Sequence, residues 1–195
     1  MKIIHTINSL GQGGAEMTLI RLINNSKNSH LIITILKNDE LKNKIKKNIK
    51  IISMLPIGLK NFKYINQQIK LFSPDIFQGW MYHGNLIAFL ISIFSFKKKK
   101  CVWNIRMSLH KEKKTYNKTI DLINKFCAIF SWIPSKIIFN SYQSMKDHKD
   151  IGYLDRNFYF IENGFNTDYW KPSLSTRRKF RQKNNFDENN FVIGF

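Results

Sequence analysis

Short apolar stretches alternate along this chain with longer segments whose apolar residues recur at helical spacing. Residues 2–7 have the composition of a buried strand, and in residues 15–25 apolar side chains return every three or four positions. A repeated strand-then-helix order predicts parallel strands joined by helices. Near-continuous apolar strands are typical of parallel sheets, which are buried on both faces. The sequence therefore predicts an α/β fold, a doubly wound, Rossmann-like parallel sheet with helices on both faces.

The alternation continues from the first residues to about residue 162. Ser73-Pro74 and Pro134 stop two of the helical segments, because proline disfavours helical backbone before it. The predicted strands span residues 2–7, 30–36, 49–54, 75–79, 100–105, 136–140 and 158–162, and the predicted helices span residues 15–25, 60–72, 84–96, 120–132 and 143–151.

Composition excludes a wholly disordered chain and leaves the partner open. The 195 residues are 43% hydrophobic and 14% aromatic, enough for one domain with a real core. Lys and Arg number 32 against 13 Asp and Glu, a net charge of +19 that fits nucleic acid, an anionic membrane or an acidic substrate. The alternative is a compositional bias, since the basic residues are scattered apart from residues 97–100.

Cysteine usage and hydropathy point to a cytoplasmic protein. Cys101 and Cys127 have no metal or redox spacing, so we expect two buried thiols in a reducing compartment. No signal-peptide pattern is visible at the N-terminus. The apolar run at residues 86–96 has eleven residues, short of the ~18 needed to cross a bilayer. We expect a protein that is soluble or peripheral on the inner face of the membrane.

A glycine-rich loop, Gly11-Gln12-Gly13-Gly14, joins the first strand to the first helix. Ligands of open parallel sheets bind beyond the carboxyl ends of the strands. Glycines let a ligand approach the backbone, and the N–H groups at a helix N-terminus attract phosphate. The loop is neither G-x-G-x-x-G, because Glu16 takes the place of the third glycine, nor a P-loop. A plain tight turn is the alternative.

Four polar or aromatic side chains follow two later strands. Trp80 and Tyr82 suit stacking on a sugar ring, and a neutral His83 can bond sugar hydroxyls. Arg106 can bind phosphate or carboxylate through two parallel hydrogen bonds. The alternatives are a core aromatic cluster with a satisfied histidine, and an ordinary surface arginine.

Residues 93–100 place bulky apolar residues beside four lysines. This combination can dock on anionic lipid, where each lysine near the surface contributes about 1 kcal/mol. The alternative is a helix end followed by a solvated loop. The lysines also resemble a nucleic-acid patch, but no recognised binding motif accompanies them, so we expect no nucleic-acid partner.

The last third of the chain contains a connector. Residues 160–172 read as a strand, a tight turn and a segment that ends at Pro172, and a basic stretch leads from there to the apolar residues 191–195. An unpaired apolar strand exposes backbone donors and acceptors. We therefore expect residues 1–172 to form one domain, and residues 173–195 to be an inter-domain segment with the first strand of a missing second domain.

Three motifs together resemble the N-terminal, acceptor-side domain of a family 4 glycosyltransferase, one of the retaining GT-B enzymes. The motifs are Gly13-Gly14-Ala15-Glu16, then Gln78-Gly79-Trp80-Met81-Tyr82-His83-Gly84-Asn85-Leu86 with Trp103-Asn104-Ile105-Arg106-Met107-Ser108, and finally Ile161-Glu162-Asn163-Gly164-Phe165-Asn166-Thr167-Asp168-Tyr169-Trp170-Lys171-Pro172. The last is similar to the family's inter-domain segment, I-x-N-G-[VF]-D-T-x-x-F-x-P. Asn166 replaces the usual Asp, and Trp170 the usual Phe.

The resemblance implies transfer of a sugar, with retention, from a nucleotide-diphosphate sugar to a glycan or lipid-linked acceptor of cell-envelope polysaccharide. The nucleotide sugar is then a co-substrate, and no cofactor or metal is expected. The implied roles are diphosphate contact for Gly13 and Gly14, substrate binding for Trp80, Tyr82, His83 and Arg106, and the inter-domain segment for Asn163 and Gly164. His83 and Arg106 are the candidate catalytic residues.

In the family the second half binds most of the nucleotide sugar, so we expect little or no transferase activity from this chain alone. Two alternatives remain: an inactive module that only binds glycan or membrane, and a basic nucleic-acid-binding protein.

Overall fold

The computed structural model describes residues 1–94, 100–109 and 118–193. Seven strands and six α-helices lie in the described residues, with single 3₁₀ turns at Lys42–Lys44 and Asp155–Asn157. The strands are β1 (Lys2–Ile7), β2 (Ser29–Thr34), β3 (Lys50–Ser53), β4 (Ile76–Trp80), β5 (Lys100–Ile105), β6 (Lys136–Phe139) and β7 (Phe158–Phe160), and the helices are α1 (Gly14–Asn25), α2 (Leu59–Phe72), α3 (Met81–Phe94), α4 (Lys118–Ile129), α5 (Tyr142–Asp150) and α6 (Leu174–Lys183).

All seven strands form one parallel sheet in the order β3-β2-β1-β4-β5-β6-β7. Strand β1 pairs with β2 on one side and with β4 on the other, so Thr6 lies between Ile33 and Gly79. The chain reverses its direction of travel across the sheet between β1 and β4, which makes this pair the topological switch point. The predicted α/β, Rossmann-like fold is confirmed.

Alternate residues of the strands point into two separate cores. In β1, Ile4 joins a core shared with α2, α3 and α4, whereas Ile7 joins a second core against α1. In β2, Ile33 and Ile32 divide in the same way. Successive side chains of a strand point to opposite faces, so apolar runs without polar alternation bury both faces of the sheet.

A hydrogen-bonded histidine pair lies inside the sheet at the switch point. The indole N–H of Trp80 donates to His5 Nδ1 at 3.2 Å, so His5 carries its proton on Nε2 and donates it to His30 Nδ1 at 2.9 Å. His5 has no exposed surface. Burial, with the nearby His30 adding a smaller effect, lowers the pKa of His5 to about 3. The pair is therefore neutral in the folded protein at neutral pH.

Helix α3 approaches β1 more closely than side chains allow. The Thr6 hydroxyl donates to the Gly84 carbonyl at 2.6 Å, and a Cβ on Gly84 would overlap the Thr6 carbonyl oxygen. The interior of a folded protein has no room for the displacement that a larger residue would require. Glycine at position 84 thus fixes the beginning of α3 against the central strand.

The chain divides into two compact units, Met1–Asn163 and Gly164–Phe195. The second unit contains α6, a helix that was not predicted and that lies in the basic stretch after Pro172. The side chain of Ser173 caps this helix by accepting from the Thr176 N–H at 3.2 Å. The buried Arg181 donates to the Asn190 carbonyl at 2.8 Å and so holds the segment after α6. Residues 191–193 are neither helix nor strand. The predicted division at residue 172, and a second domain beginning after it, stay predictions.

Two further predictions concern apolar and basic surfaces. Within the described ranges, no helix has the length and hydropathy to cross a membrane. The lysine run at residues 97–100 lies almost wholly outside the described residues, as does the end of the apolar run before it. The predicted membrane contact through residues 93–100 therefore stays a prediction.

The buried His5 predicts that acid destabilises the fold. Its pKa in the folded protein lies below the ~6.5 of an unfolded chain, so the unfolded state binds the proton first. The contribution of His5 is complete above about pH 6.5 and is lost as the pH falls, with a slope of up to about 1.4 kcal/mol per pH unit. Urea denaturation between about pH 7 and about pH 5 measures the free energy of unfolding that tests this.

The variant His5→Gln separates the share of His5 from that of the other histidines. It lowers stability at every pH, since it disturbs the bonds to Trp80 and His30, but its free energy of unfolding falls less steeply with acid. Equal slopes for the wild type and the variant would show that His5 does not carry the effect.

Candidate functional site

A cavity of about 330 Å³ lies beyond the carboxyl ends of the strands, around the switch point. Five different strand-end segments reach it, those that follow β1, β4, β5, β6 and β7. The lining residues are Gly14, Ala15, Glu16, Thr18, Met81, Arg106, Asn140 and Asn163. The cavity thus occupies the position where open parallel sheets bind their ligands.

One wall of the cavity is the N-terminus of α1. The first hydrogen bond within the helix runs from the Met17 N–H to the Gly13 carbonyl at 3.0 Å, so the N–H groups of Gly14 and Ala15 have no partner within the helix. The helix dipole adds partial positive charge at this end. Nothing lies within 4 Å of where a Cβ on Gly14 would stand, so a ligand has room to reach the backbone. This wall suits an anion.

The two glycines predicted to contact phosphate have different surroundings. A Cβ on Gly13 would overlap the carboxylate of Glu16, whose side chain folds back over that residue. Gly14 instead lines the cavity. The carboxylate of Glu16 therefore lies against Gly13, whereas the backbone of Gly14 is open to the cavity.

The cavity is also lined by Arg106, the first residue after β5. Its guanidinium donates to the side-chain oxygen of Asn163 through Nη2, and to that of Asn104 through Nη1 at 3.5 Å. Burial, and to a lesser extent the positive charge of Arg21, lower the pKa of Arg106. Both effects disfavour the cation, so an anion in the cavity would stabilise it.

Helix α5 holds the segment that carries Arg106. The hydroxyl of Ser144 donates to the Met107 carbonyl at 2.6 Å, and Oδ2 of the buried Asp147 accepts from the Leu109 N–H at 2.9 Å. These bonds satisfy backbone groups that a loop would otherwise leave to water. Residues 106–109 are therefore fixed against α5 rather than supported only by the end of β5.

Met81 also lines the cavity, and its backbone is strained. Its φ of 60° is in the left-handed region, a conformation that costs a non-glycine residue about 1–3 kcal/mol. Its sulfur accepts from the Arg106 N–H at 3.4 Å. Such strain persists where the surroundings enforce it, and it concentrates at functional sites. Sequence reasoning pointed to residues 80–83 as a strand end and assigned roles to Trp80, Tyr82 and His83, but none to Met81 itself.

The structure corrects the prediction that Trp80 and Tyr82 bind substrate. Trp80 is 0% exposed and Tyr82 is 2% exposed, so neither ring can contact a sugar. Strand β4 extends one residue beyond its predicted end and includes Trp80, which directs that ring into the core beneath α1. The hydroxyl of Tyr82 bonds to His148 Nε2 at 2.9 Å. Both residues are core aromatics, which was the alternative interpretation of the sequence.

His83 and Gly164 are the other residues with predicted roles, and the two cysteines were predicted to be buried thiols. His83 is half-buried, and burial lowers its pKa, but it does not line the cavity. Gly164 begins the second compact unit. Cys101 and Cys127 are free, buried thiols whose pKa burial raises to about 12, which leaves them unreactive. The roles proposed for His83 and Gly164 stay predictions.

The structure thus brings together one residue from each of the three motifs, namely Gly14, Arg106 and Asn163. They supply free backbone N–H groups, a guanidinium and a side-chain amide, and Asn140 adds a second amide. Cations and N–H groups bind phosphate, whereas amides bond hydroxyl groups. The arrangement fits an anionic group attached to a polar, hydroxyl-bearing molecule.

No protein-family model matches the chain, and no curated protein matches its sequence. Solved structures do match its fold. HepE of Anabaena, solved in complex with UDP and glucose, is 20% identical, with a TM-score of 0.72 over 95% of this chain and 50% of HepE. The lipopolysaccharide outer core galactosyltransferase WaaB is 20% identical, with a TM-score of 0.57 over 85% of this chain and 46% of WaaB.

A UDP-GlcNAc 2-epimerase from Neisseria meningitidis, solved with UDP-GlcNAc bound, is 12% identical; its TM-score is 0.53 over 97% of this chain and 54% of the epimerase. At these identities the likeness shows a shared fold. The chain spans about half the length of each of these proteins.

We predict that Asp147→Ala loosens the segment that carries Arg106. The substitution leaves the Leu109 N–H without its acceptor, which lowers the free energy of unfolding by about 1–3 kcal/mol. Amide hydrogen exchange at Leu109 should become at least tenfold faster, roughly 1.4 kcal/mol of lost protection.

Gln143→Ala is the matched control. Gln143 donates to the other oxygen of Asp147 at 2.6 Å from an exposed position, so its removal leaves the bond to Leu109 in place. Exchange at Leu109 should stay close to that of the wild type. An equal effect of the two substitutions would contradict a specific role for Asp147.

Proposed function

We propose that this chain is the N-terminal, acceptor-side half of a retaining GT-B glycosyltransferase of family 4. The enzyme would transfer a sugar from a nucleotide-diphosphate donor to a glycan or lipid-linked acceptor of cell-envelope polysaccharide. One observation carries the proposal: the α1 N-terminus and the Arg106 guanidinium face the same cavity at the switch point of the sheet. This pairing is a site for a phosphate group on a fold that resembles those of HepE and WaaB.

The comparisons support the class of donor. HepE was solved with UDP and glucose, and the epimerase with UDP-GlcNAc, so proteins of this fold bind nucleotide sugars. WaaB is a galactosyltransferase. Because the chain spans about half of each, we propose that a second half supplies the remaining donor contacts.

The cavity has the size and charge for part of such a donor. Ligand pockets usually measure about 300–1,000 Å³, and this one, at about 330 Å³, fits a phosphate with an adjoining sugar rather than a whole nucleotide sugar. N–H groups of Gly14 and Ala15 and the guanidinium of Arg106 would stabilise the negative charge that develops on the departing diphosphate. The amides of Asn140 and Asn163 would bond hydroxyls. We propose that these protein groups serve without a metal or cofactor.

We also propose that the protein works in the cytoplasm. Its two described cysteines are free and buried, as is usual for thiols in a reducing compartment.

Binding of UDP-glucose to the 195-residue chain tests the phosphate site. Hydrogen bonds to charged groups contribute about 1.5–3 kcal/mol, so Arg106→Ala should weaken binding by roughly tenfold or more. Calorimetric titration with UDP-glucose measures the affinity, and titrations with UDP and with uridine, which differ only in the diphosphate, show how much of it depends on that group.

The matched control is Arg156→Ala. Arg156 is an exposed arginine that donates to the Trp132 carbonyl at 3.3 Å and does not line the cavity. The Arg156→Ala substitution removes the same charge as Arg106→Ala and should leave the affinity for UDP-glucose unchanged. Equal affinities for the Arg106→Ala variant and the wild type, or no preference for UDP-glucose over uridine, would overturn the assignment of the cavity.

A second prediction is that this chain alone does not turn over nucleotide sugars. Holding donor and acceptor together in reacting geometry can account for ~7–11 kcal/mol of a barrier, and one wall of a cleft cannot provide it. Release of nucleotide diphosphate from a panel of nucleotide sugars with cell-envelope acceptors measures turnover. Acceptor-dependent release would show that this half carries the catalytic groups that we assign to the other.

A further inference from the structure

An exposed apolar surface lies where β3 leads into α2, and we call it the α2 surface. It consists of Leu55, Ile57, Leu59 and Phe62, with Lys60 and Lys63 beside them. Ile57 is 89% exposed, Leu59 is 81% exposed and Phe62 is 64% exposed. Single exposed apolar residues are ordinary in proteins, whereas several adjoining ones indicate an interaction site.

The α2 surface is held in shape rather than left as a loose loop. The side-chain amide of Asn61 donates to the carbonyls of Met54 at 2.7 Å and Pro56 at 3.1 Å, which fixes the turn that presents Ile57. Helix α2 is anchored by Ile65 and Ile69, which are buried in the core. The exposed side chains therefore do not result from a helix that lacks a core contact.

Lysines flank the α2 surface in sequence, and two of them lie within it. Residues 43–74 contain seven lysines and no aspartate or glutamate. Lys60 and Lys63 are exposed in the first turns of α2, three residues apart, as are Leu59 and Phe62. Residues at this spacing lie on the same side of a helix, so the apolar and the basic side chains form two adjacent stripes. Apolar anchors flanked by lysines are the pattern of interfacial membrane binding.

We propose that the α2 surface docks on a phospholipid bilayer that carries anionic headgroups. The apolar side chains enter the boundary between headgroups and acyl chains, and the lysines attract the negative surface. A second copy of this chain is a poor occupant, because it would bring its own Lys60 and Lys63 against the same two lysines of the first copy. The proposal does not depend on the proposed function.

Docking there would also orient the cavity. The α2 surface follows the carboxyl end of β3, and the cavity lies beyond the carboxyl ends of strands in the same parallel sheet. Parallel strands end at one edge, so both features belong to that edge. A lipid-linked molecule in the bilayer would therefore lie on the side of the protein where the cavity is found.

Flotation with lipid vesicles tests the proposal. We expect the full chain to float with phosphatidylcholine vesicles that contain about 30% phosphatidylglycerol, and not with phosphatidylcholine alone. Binding should weaken between about 0.1 M and about 0.5 M NaCl, because salt screens the lysines. The double variant Ile57→Ser/Leu59→Ser should bind roughly tenfold or more weakly, since it removes two apolar anchors.

The control is Leu122→Ser/Ile129→Ser, which makes the same two substitutions at positions of α4 that are each 69% exposed. It should bind within about twofold of the wild type. All four residues are exposed, so both variants should keep the wild-type thermal denaturation midpoint.

A second pair of variants separates the local charge from the net charge. Lys60→Gln/Lys63→Gln should weaken binding by roughly fivefold for each lysine. The control Lys27→Gln/Lys146→Gln removes the same charge elsewhere, at two exposed lysines, and should have a much smaller effect.

Three results would overturn the proposal. One is unchanged vesicle binding by the Ile57→Ser/Leu59→Ser variant. Another is an equal loss in each variant and its control, which would mean that net charge alone governs binding. The third is a wild-type dimer that does not bind vesicles and becomes monomeric in the Ile57→Ser/Leu59→Ser variant, which would assign the surface to a second copy.

Discussion

The parallel pairing of β1 with both of its neighbours is the constraint on which the rest of the structure depends. Because β1 lies between β2 and β4, both of its edges are hydrogen-bonded, and the two cores bury both of its faces. The chain adds strands first on one side of β1 and then on the other. The two halves of the sheet therefore adjoin between β1 and β4, and the cavity lies beyond the carboxyl ends of the strands around that point. The same pairing places His5 beside Trp80, so both ring nitrogens of this buried histidine are hydrogen-bonded.

The fold could be predicted because it depends on periodic properties of the sequence. Apolar strands that alternate with amphipathic helices can pack into only a few layer architectures, and an error of one or two residues at the end of a strand or helix does not change which one forms. The site depends on single residues, where the same error matters. Ending β4 at Gly79 instead of Trp80 turned a core indole into a predicted sugar-stacking ring, since adjacent strand residues point to opposite faces. Arg106 was placed correctly because β5 ends where its pattern ends.

Other parts of the site lie beyond sequence reasoning because they depend on contacts between distant segments. The carboxylate of Asp147 shapes the loop that carries Arg106, and the amide of Asn61 shapes the turn before α2. Each binds backbone groups of another segment, and neither residue type predicts such a contact. Helix α6 was missed for a different reason: its sequence is mostly polar and basic, and its two apolar residues, Leu174 and Phe180, are too few to form an apolar stripe. The lysine-flanked surface at α2 became visible only when exposure was known, since Leu59 and Phe62 fit a core-facing stripe equally well.

The contact between Gly84 and Thr6 has a consequence for how this protein can change. Because Gly84 has no side chain and its carbonyl accepts from the Thr6 hydroxyl, little can rearrange between α3 and β1 at this contact, and we expect the two elements to move together. When a ligand enters the neighbouring cavity, the side chains that line it, such as Glu16 and Arg106, must then move to fit the ligand. In evolution, the beginning of α3 is a fixed reference point, while new specificities would arise on the walls that face it.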